Sequence, residues 1–250
     1  MNIEIWKRRL VYIATDVQVD GLEHDKDGLE LLNNQEITIL PITDVEAFKE
    51  KFTILDESRP QPGMLLLLSP YDSNTYVEIS RGRSIIAIEK ALLTLRFCAL
   101  LGAKSVTVKN IKIVDIENST EISIDAQHNT ISGDFKTKKT EIQNLKNQIT
   151  NAASLSGGQP DFEKADRLLK SSGLISDPLL KHLVEMVRES ESTQNKIHEL
   201  VQEVSLNQSL QNSFDLVAKI KFPLGFVSGN FKTIANEKLE YFVSLLIKFH

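Results

Sequence analysis

Residues 81–108, RGRSIIAIEKALLTLRFCALLGAKSVTV, decide the fold. From Ile85 to Leu101 nearly every position is Ile, Leu, Ala, Phe or Cys, broken by Glu89, Lys90, Thr94 and Arg96, which predicts a helix covered around most of its circumference. Gly102 supplies the stop, and Ser105–Val108 opens an alternating apolar run. The short connection makes helix and strand neighbours.

Working downstream, Val106 and Val108 fall on one strand face and Ile111 and Ile113 on the other if the alternation is strict. A β-bulge at Lys109–Asn110 would return all four to one face. Glu117–Ser119 reads as a turn, Ile122 and Ile124 as a second strand, His128–Asn129 as another turn and residues 131–136 as a return strand, together an antiparallel meander. Near the C-terminus, Phe214–Phe222 and Leu239–Phe249 alternate again and are expected to rejoin the same sheet.

Between these β regions the period lengthens. Ile142, Leu145 and Ile149 share a helical face; Ser154–Pro160, with Gly157–Gly158, reads as a flexible connection. Asp161 opens a helix bearing Phe162, Ala165, Leu168 and Leu169, which Gly173 closes, and Asp177–Pro178 carries the cap and first-turn chemistry of another. From Asp177 to Leu206 an apolar stripe is interrupted at Ser190 and Gln194, which leaves one long helix and two shorter ones both open.

Upstream, Ile3–Ile5 and Leu10–Ile13 read as β-prone, Asp20–Glu30 as a solvated acidic loop lacking the ligand spacing of a calcium loop, and Glu36–Ile42 as a strand. Asp44 is expected to cap a short helix toward Phe52. Met64–Leu68 is a continuous apolar run suited to a strand buried on both faces, and Thr75–Ile79 a further strand.

The fold class that results is α+β: a largely antiparallel or mixed sheet covered by a central apolar helix, with a helical insert between two β regions. The expected divisions are an N-terminal body, 1–138, a helical segment, 139–210, and C-terminal strands, 211–250, that rejoin the body sheet. A local echo, ISGDFKT at 131–137 and VSGNFKT at 227–233, suggests a repeated way of starting a return strand.

With 250 residues, 41% of them hydrophobic, the chain has the composition of a globular protein. A net charge of −5 offers no overall basic field and disfavours nucleic acid as a partner. The single cysteine, Cys98, rules out an intramolecular disulfide and reads as a core residue. Lys7, Arg8 and Arg9 before Leu10–Ala14 resemble the start of a secretory signal, but the apolar run is too short. No stretch reaches the length of a membrane span, so a cytoplasmic protein is expected.

No metal, cofactor or nucleotide motif is present, and the five histidines do not cluster with metal-ligand spacing; His182 and Glu185 at i and i+3 do not suffice for a di-metal bundle. Two places carry potential chemistry. Polar residues 69–74 follow a buried strand, where Tyr71 and Asp72 are candidate acid–base groups, although Pro, Asp, Ser and Asn also make a simple turn. Arg81, Arg83 and Ser84 stand at the predicted helix start as a candidate anion site, without the glycine spacing of a phosphate loop.

The leading expectation is a non-enzymatic interaction or assembly component that presents its helical segment to a protein partner or to another copy. Two alternatives remain from the sequence. One is a membrane-active, pore-forming type of protein using amphipathic strands such as Leu239–Phe249; the other is an enzyme on an anionic or phosphorylated substrate with a site near residues 69–84.

Overall fold

The computed structural model describes residues 7–55, 59–118, 120–123, 133–152, 155, 157–193, 197–223 and 230–249. In chain order the elements are β1 (Leu10–Ala14), α1 (Asp16–Leu22), α2 (Lys26–Leu32), β2 (Ile37–Pro41), α3 (Val45–Lys49), β3 (Thr53–Ile54), β4 (Leu65–Leu68), β5 (Thr75–Glu78) and α4 (Ile79–Leu100). Then come β6 (Ser105–Asp115), β7 (Thr120–Ser123), α5 (Gly133–Ala152), α6 (Phe162–Ser171), α7 (Pro178–Ser192), β8 (Glu199–Ser205), α8 (Gln211–Lys219), α9 (Asn230–Asn236) and β9 (Leu239–Lys248). The fold is α+β, with one mixed and one antiparallel sheet.

Two compact units divide the chain: residues 1–85 with 209–237, and 86–208 with 238–250. In the first, five strands run in the order β2-β1-β4-β5-β3. β1 pairs parallel with β2 and antiparallel with β4, and β5 pairs antiparallel with β4 and parallel with β3. Leu65, Leu66 and Leu67 are fully buried, as a continuous apolar run requires of an interior strand. On one side, Val11, Ile13, Leu40 and Leu66 pack with Phe48, Phe52 and Tyr76, whose rings stand 4.7–5.5 Å apart in tilted or edge-on contact.

In the second unit the order is β7-β6-β9-β8, antiparallel throughout. The register of β6 against β9 shifts between Val108 and Asn110, so Val106, Val108, Ile111 and Ile113 all face the core. The bulge expected at Lys109–Asn110 is therefore present. On β9, Leu239, Tyr241, Val243, Leu245 and Ile247 are buried in strict alternation. Lys112 Nζ lies 3.6 Å from Glu121 on β7 and 3.1 Å from Glu203 on β8, an ion-pair chain that reaches from one edge strand to the other.

Several expectations are corrected. The single body sheet is in fact two: Leu239–Lys248 does rejoin β6, as expected, but that sheet is separate from the one that contains β4. The Asp20–Glu30 segment is not a loop: Thr15 and Asp25 cap α1 and α2, which bury Leu22 and Leu31. Asp44 occupies the cap position of α3 without a side-chain hydrogen bond. Phe214–Phe222 is not a strand, because Leu210, Phe214 and Val217 also recur at helical spacing and are buried on one side of α8. After α7 ends, Glu199–Ser205 forms β8, so the stripe from Asp177 to Leu206 is neither one helix nor two.

Both copies of the sequence echo enter helices, α5 and α9, rather than return strands; residues 131–132 and 227–229 lie outside the described residues. So do the expected strand Ile3–Ile5, Ile124 of the expected second strand, and the turn at His128–Asn129. Caps account for the success of the neighbouring helix assignments. Asp161 accepts from the Lys164 N–H and Asp177 from the Leu179 and Leu180 N–H groups, while Gly173 takes the left-handed conformation at φ 67°.

The central helix α4 is shared, Ile79–Ile85 belonging to the first unit and Ile86–Leu100 to the second. It does not simply cover one sheet. In the first unit Gly82 packs so close to β4 and β5 that a Cβ would stand 3.2 Å from Leu67 Cδ1. In the second, Lys90 pairs with Asp177 at 2.7 Å, both side chains at least nine-tenths buried.

Candidate functional site

The helix C-terminus that the sequence marks with Gly102 also builds an open groove of the second unit. Gly102 adopts φ +85°, which allows Ala103 N–H to reach Cys98 O and close the helix. A Cβ on Gly102 would stand 2.6 Å from Gly158 O, so the chain returning toward α6 passes directly against it. Asp161 N–H then donates to Leu100 O at 2.7 Å, which satisfies a terminal carbonyl of α4 and fixes the start of α6 beside it.

Asp161 performs three tasks at this joint. Its backbone caps α4, its Oδ1 caps α6, and its Oδ2 holds Lys164 Nζ at 2.7 Å. The hydrogen bonds from Lys164 hold its carboxyl below the usual carboxylate range.

Beyond this joint α4 and α6 line an open groove of about 600 Å³. Its walls carry Arg96 and Leu100 from α4, and Lys164, Arg167, Leu168, Lys170 and Ser171 from α6. Among the described residues, no ion pair involves Arg96, Arg167 or Lys170. Beside Arg96, the apolar ridge of α4 is open: Leu92 is 40% exposed and Ala99 is exposed. Leu92, Arg96 and Ala99 stand at i, i+4 and i+7, on one helix face. The arrangement can bind an anion through guanidinium and ammonium groups while burying apolar surface.

The residues singled out from sequence stand elsewhere, in the first unit. β4 and β5 are antiparallel neighbours, so residues 69–74 are their hairpin connection. Ser69 Oγ accepts from the Tyr71 and Asp72 N–H groups, and the Asp72 carboxylate accepts from Asn74 N–H and Thr75 Oγ1. These bonds make a turn. Tyr71 is buried, with its hydroxyl 2.8 Å from Ser209 Oγ.

Arg81 and Arg83 lie within the first turns of α4, after Ile79. Arg81 is exposed, and its carbonyl accepts from Ser84 Oγ. Arg83 is buried: it donates to Ile234 O at 2.7 Å and to Glu237 O, lies 3.6 Å from the Glu237 carboxylate and stacks on Phe214. Its guanidinium thus fastens α8 and α9 to the start of α4. The structure does not bring Tyr71 and Asp72 into one cluster with Arg83 by any of these bonds.

Sequence reasoning missed the groove. The signal available was Lys164, Arg167 and Lys170 at three-residue intervals, and Arg96 inside an otherwise apolar helix. Among the described residues, no helix is long and apolar enough to cross a membrane, and no group of three or more His, Cys, Asp and Glu side chains is placed to hold a metal. No family model, characterised protein or solved structure matches the chain.

Proposed function

We propose that this chain is a non-enzymatic interaction or assembly component, and that its helical segment, residues 139–210, presents the surface a protein partner recognises. The observation that carries this reading is the α4–α6 groove, where Arg96, Arg167 and Lys170, none within ion-pair distance of a described carboxylate, stand close to exposed Leu92 and Ala99 of α4. Arginine is among the residues enriched at protein-binding surfaces relative to ordinary surface. Tyr71 and Asp72, the acid–base candidates, are engaged in a hairpin turn and a contact to Ser209, which favours a scaffold over an enzyme.

Purification of the tagged full-length chain from its native cells, with cross-linking through lysines, tests the proposal. A stoichiometric protein partner, or a second copy, cross-linked through Lys164 or Lys170 is the expected result. A monomeric mass in light scattering, with no stoichiometric partner at native abundance, would overturn it.

A further inference from the structure

The two walls of the groove differ in a way that specifies what the partner must offer. On α6, Lys164, Arg167 and Lys170 succeed one another at three-residue spacing, a line of about 9 Å at the helical rise. Lys164 is already held by Asp161, which leaves Arg167 and Lys170 on this wall and Arg96 facing them from α4. Arg167 and Lys170 spaced along one wall, with Arg96 on the other, match a ligand with spaced charges. A single phosphate would need donors converging on one point.

The floor is apolar, formed by Leu100 and Leu168, and Leu92 and Ala99 stand exposed beside Arg96 on the same face of α4. A ligand that meets the cations and these apolar groups therefore carries carboxylates beside aliphatic side chains. A long nucleic acid strand fits poorly, since its phosphates would extend beyond the groove over a chain of net charge −5. A short amphipathic helix fits both walls, because side chains at i, i+3 or i+4, and i+7 lie on one stripe and present Asp or Glu beside Leu.

We infer that the α4–α6 groove binds an acidic amphipathic helix of a partner protein, with Arg96, Arg167 and Lys170 pairing its carboxylates and Leu92, Ala99 and Leu100 packing on its apolar stripe. The inference rests on the proposed interaction function and narrows it to one surface and one partner chemistry. Opposed fields at such a surface set orientation and on-rate, and exposed pairs of this kind weaken as salt rises.

The probe is a displayed library of helix-forming peptides of about 16 residues, roughly 24 Å of helix, selected on the full-length chain. The expected result is enrichment of sequences with Asp or Glu at helical spacing beside Leu, binding that weakens with salt, and a loss of about tenfold in R96E/R167E/K170E. Circular dichroism and the melting temperature check that this variant folds. R96Q/R167Q/K170Q, which removes charge without reversing it, is expected to lose less.

Enrichment of neutral or basic peptides, or binding indifferent to the triple reversal, overturns the inference. If the native complex persists in the reversed variant, the inference fails while the interaction function stands; if neither peptides nor a native partner bind, both fail. Binding of single-stranded RNA in place of acidic peptides, or self-association that the reversal dissolves with no peptide selected, also overturns it.

Discussion

The Arg83 guanidinium lies 4.0 Å from the centre of the Phe214 ring and donates to Ile234 O of α9 and to Glu237 O just past its end. Three favourable terms meet at one buried cation: stacking on an aromatic face, hydrogen bonds to Ile234 O and Glu237 O, and the Glu237 carboxylate at 3.6 Å. They also explain how residues 209–237, distant in sequence, become part of the first unit. The cation sits at a helix C-terminus, where the dipole favours positive charge.

Arg83→Ala should therefore destabilise the chain by about 3 kcal/mol, from lost charge-assisted bonds and unpaired carbonyls. Arg83→Lys should recover less than half of it, since an ammonium cannot reproduce the planar fork. Denaturant unfolding of Arg83→Ala, Phe214→Ala and the double variant should give a coupling of about 1 kcal/mol. Strict additivity would show that the stacking contributes nothing.

Lys90 and Asp177 form the corresponding fastening in the second unit, where a charge on the apolar helix meets the N-cap of α7 at 2.7 Å. Removing one partner of a buried pair strands the other, which costs about 3 kcal/mol or more. Lys90→Met should show this loss. Lys90→Met/Asp177→Asn should be less destabilised than the sum of its single changes, because the stranded carboxylate is gone while the cap remains. An additive double variant, measured by urea unfolding, would mean the two charges do not interact.

Cys98 is fully buried in α4, and burial pushes its thiol up to about 12, from 9.0. The native chain should resist iodoacetamide at pH 8 and react stoichiometrically once unfolded. The sign of the pH effect follows from a folded pKa above the unfolded one. The contribution is fully present below about pH 9, the ordinary thiol value, and is lost as pH rises toward the folded value. Cys98→Ala should flatten this alkaline fall in stability; an unchanged profile would assign it to other groups.

Where one residue fixed a local conformation, the sequence was legible. Gly102, Gly173, Asp161 and Asp177 mark helix ends through dihedral angles and hydrogen bonds that depend only on near neighbours. Residues 210–222 were not, because Leu210, Phe214 and Val217 satisfy a helical stripe while Phe214, Leu216 and Ala218 satisfy an alternating one; tertiary packing chooses. Strand pairing is likewise non-local, so nothing near β9 states that its neighbours are β6 and β8. The groove joins Arg96 to Arg167 only after Asp161 has met Leu100, and residue spacing alone does not encode that contact.

The bulge in β6 offers the sharpest test of what sequence pattern alone can specify. Val106 and Val108 precede it, Ile111 and Ile113 follow it, and the single unpaired Lys109 keeps all four in the core against β9. Deleting Lys109 leaves Val106, Val108, Ile111 and Ile113 in strict alternation, so a regular ladder keeps all four on the core face with the same β9 partners. The deletion should therefore cost about 1 kcal/mol or less, since it exposes no aliphatic side chain. Lys109→Ala, which keeps the residue count, should cost about 0.5 kcal/mol or less. Hydrogen exchange on β6 and β9 checks this, since both variants should keep their protection. Loss of protection in the deletion alone would show that the bulge itself, and not the alternation of the apolar residues, sets the register.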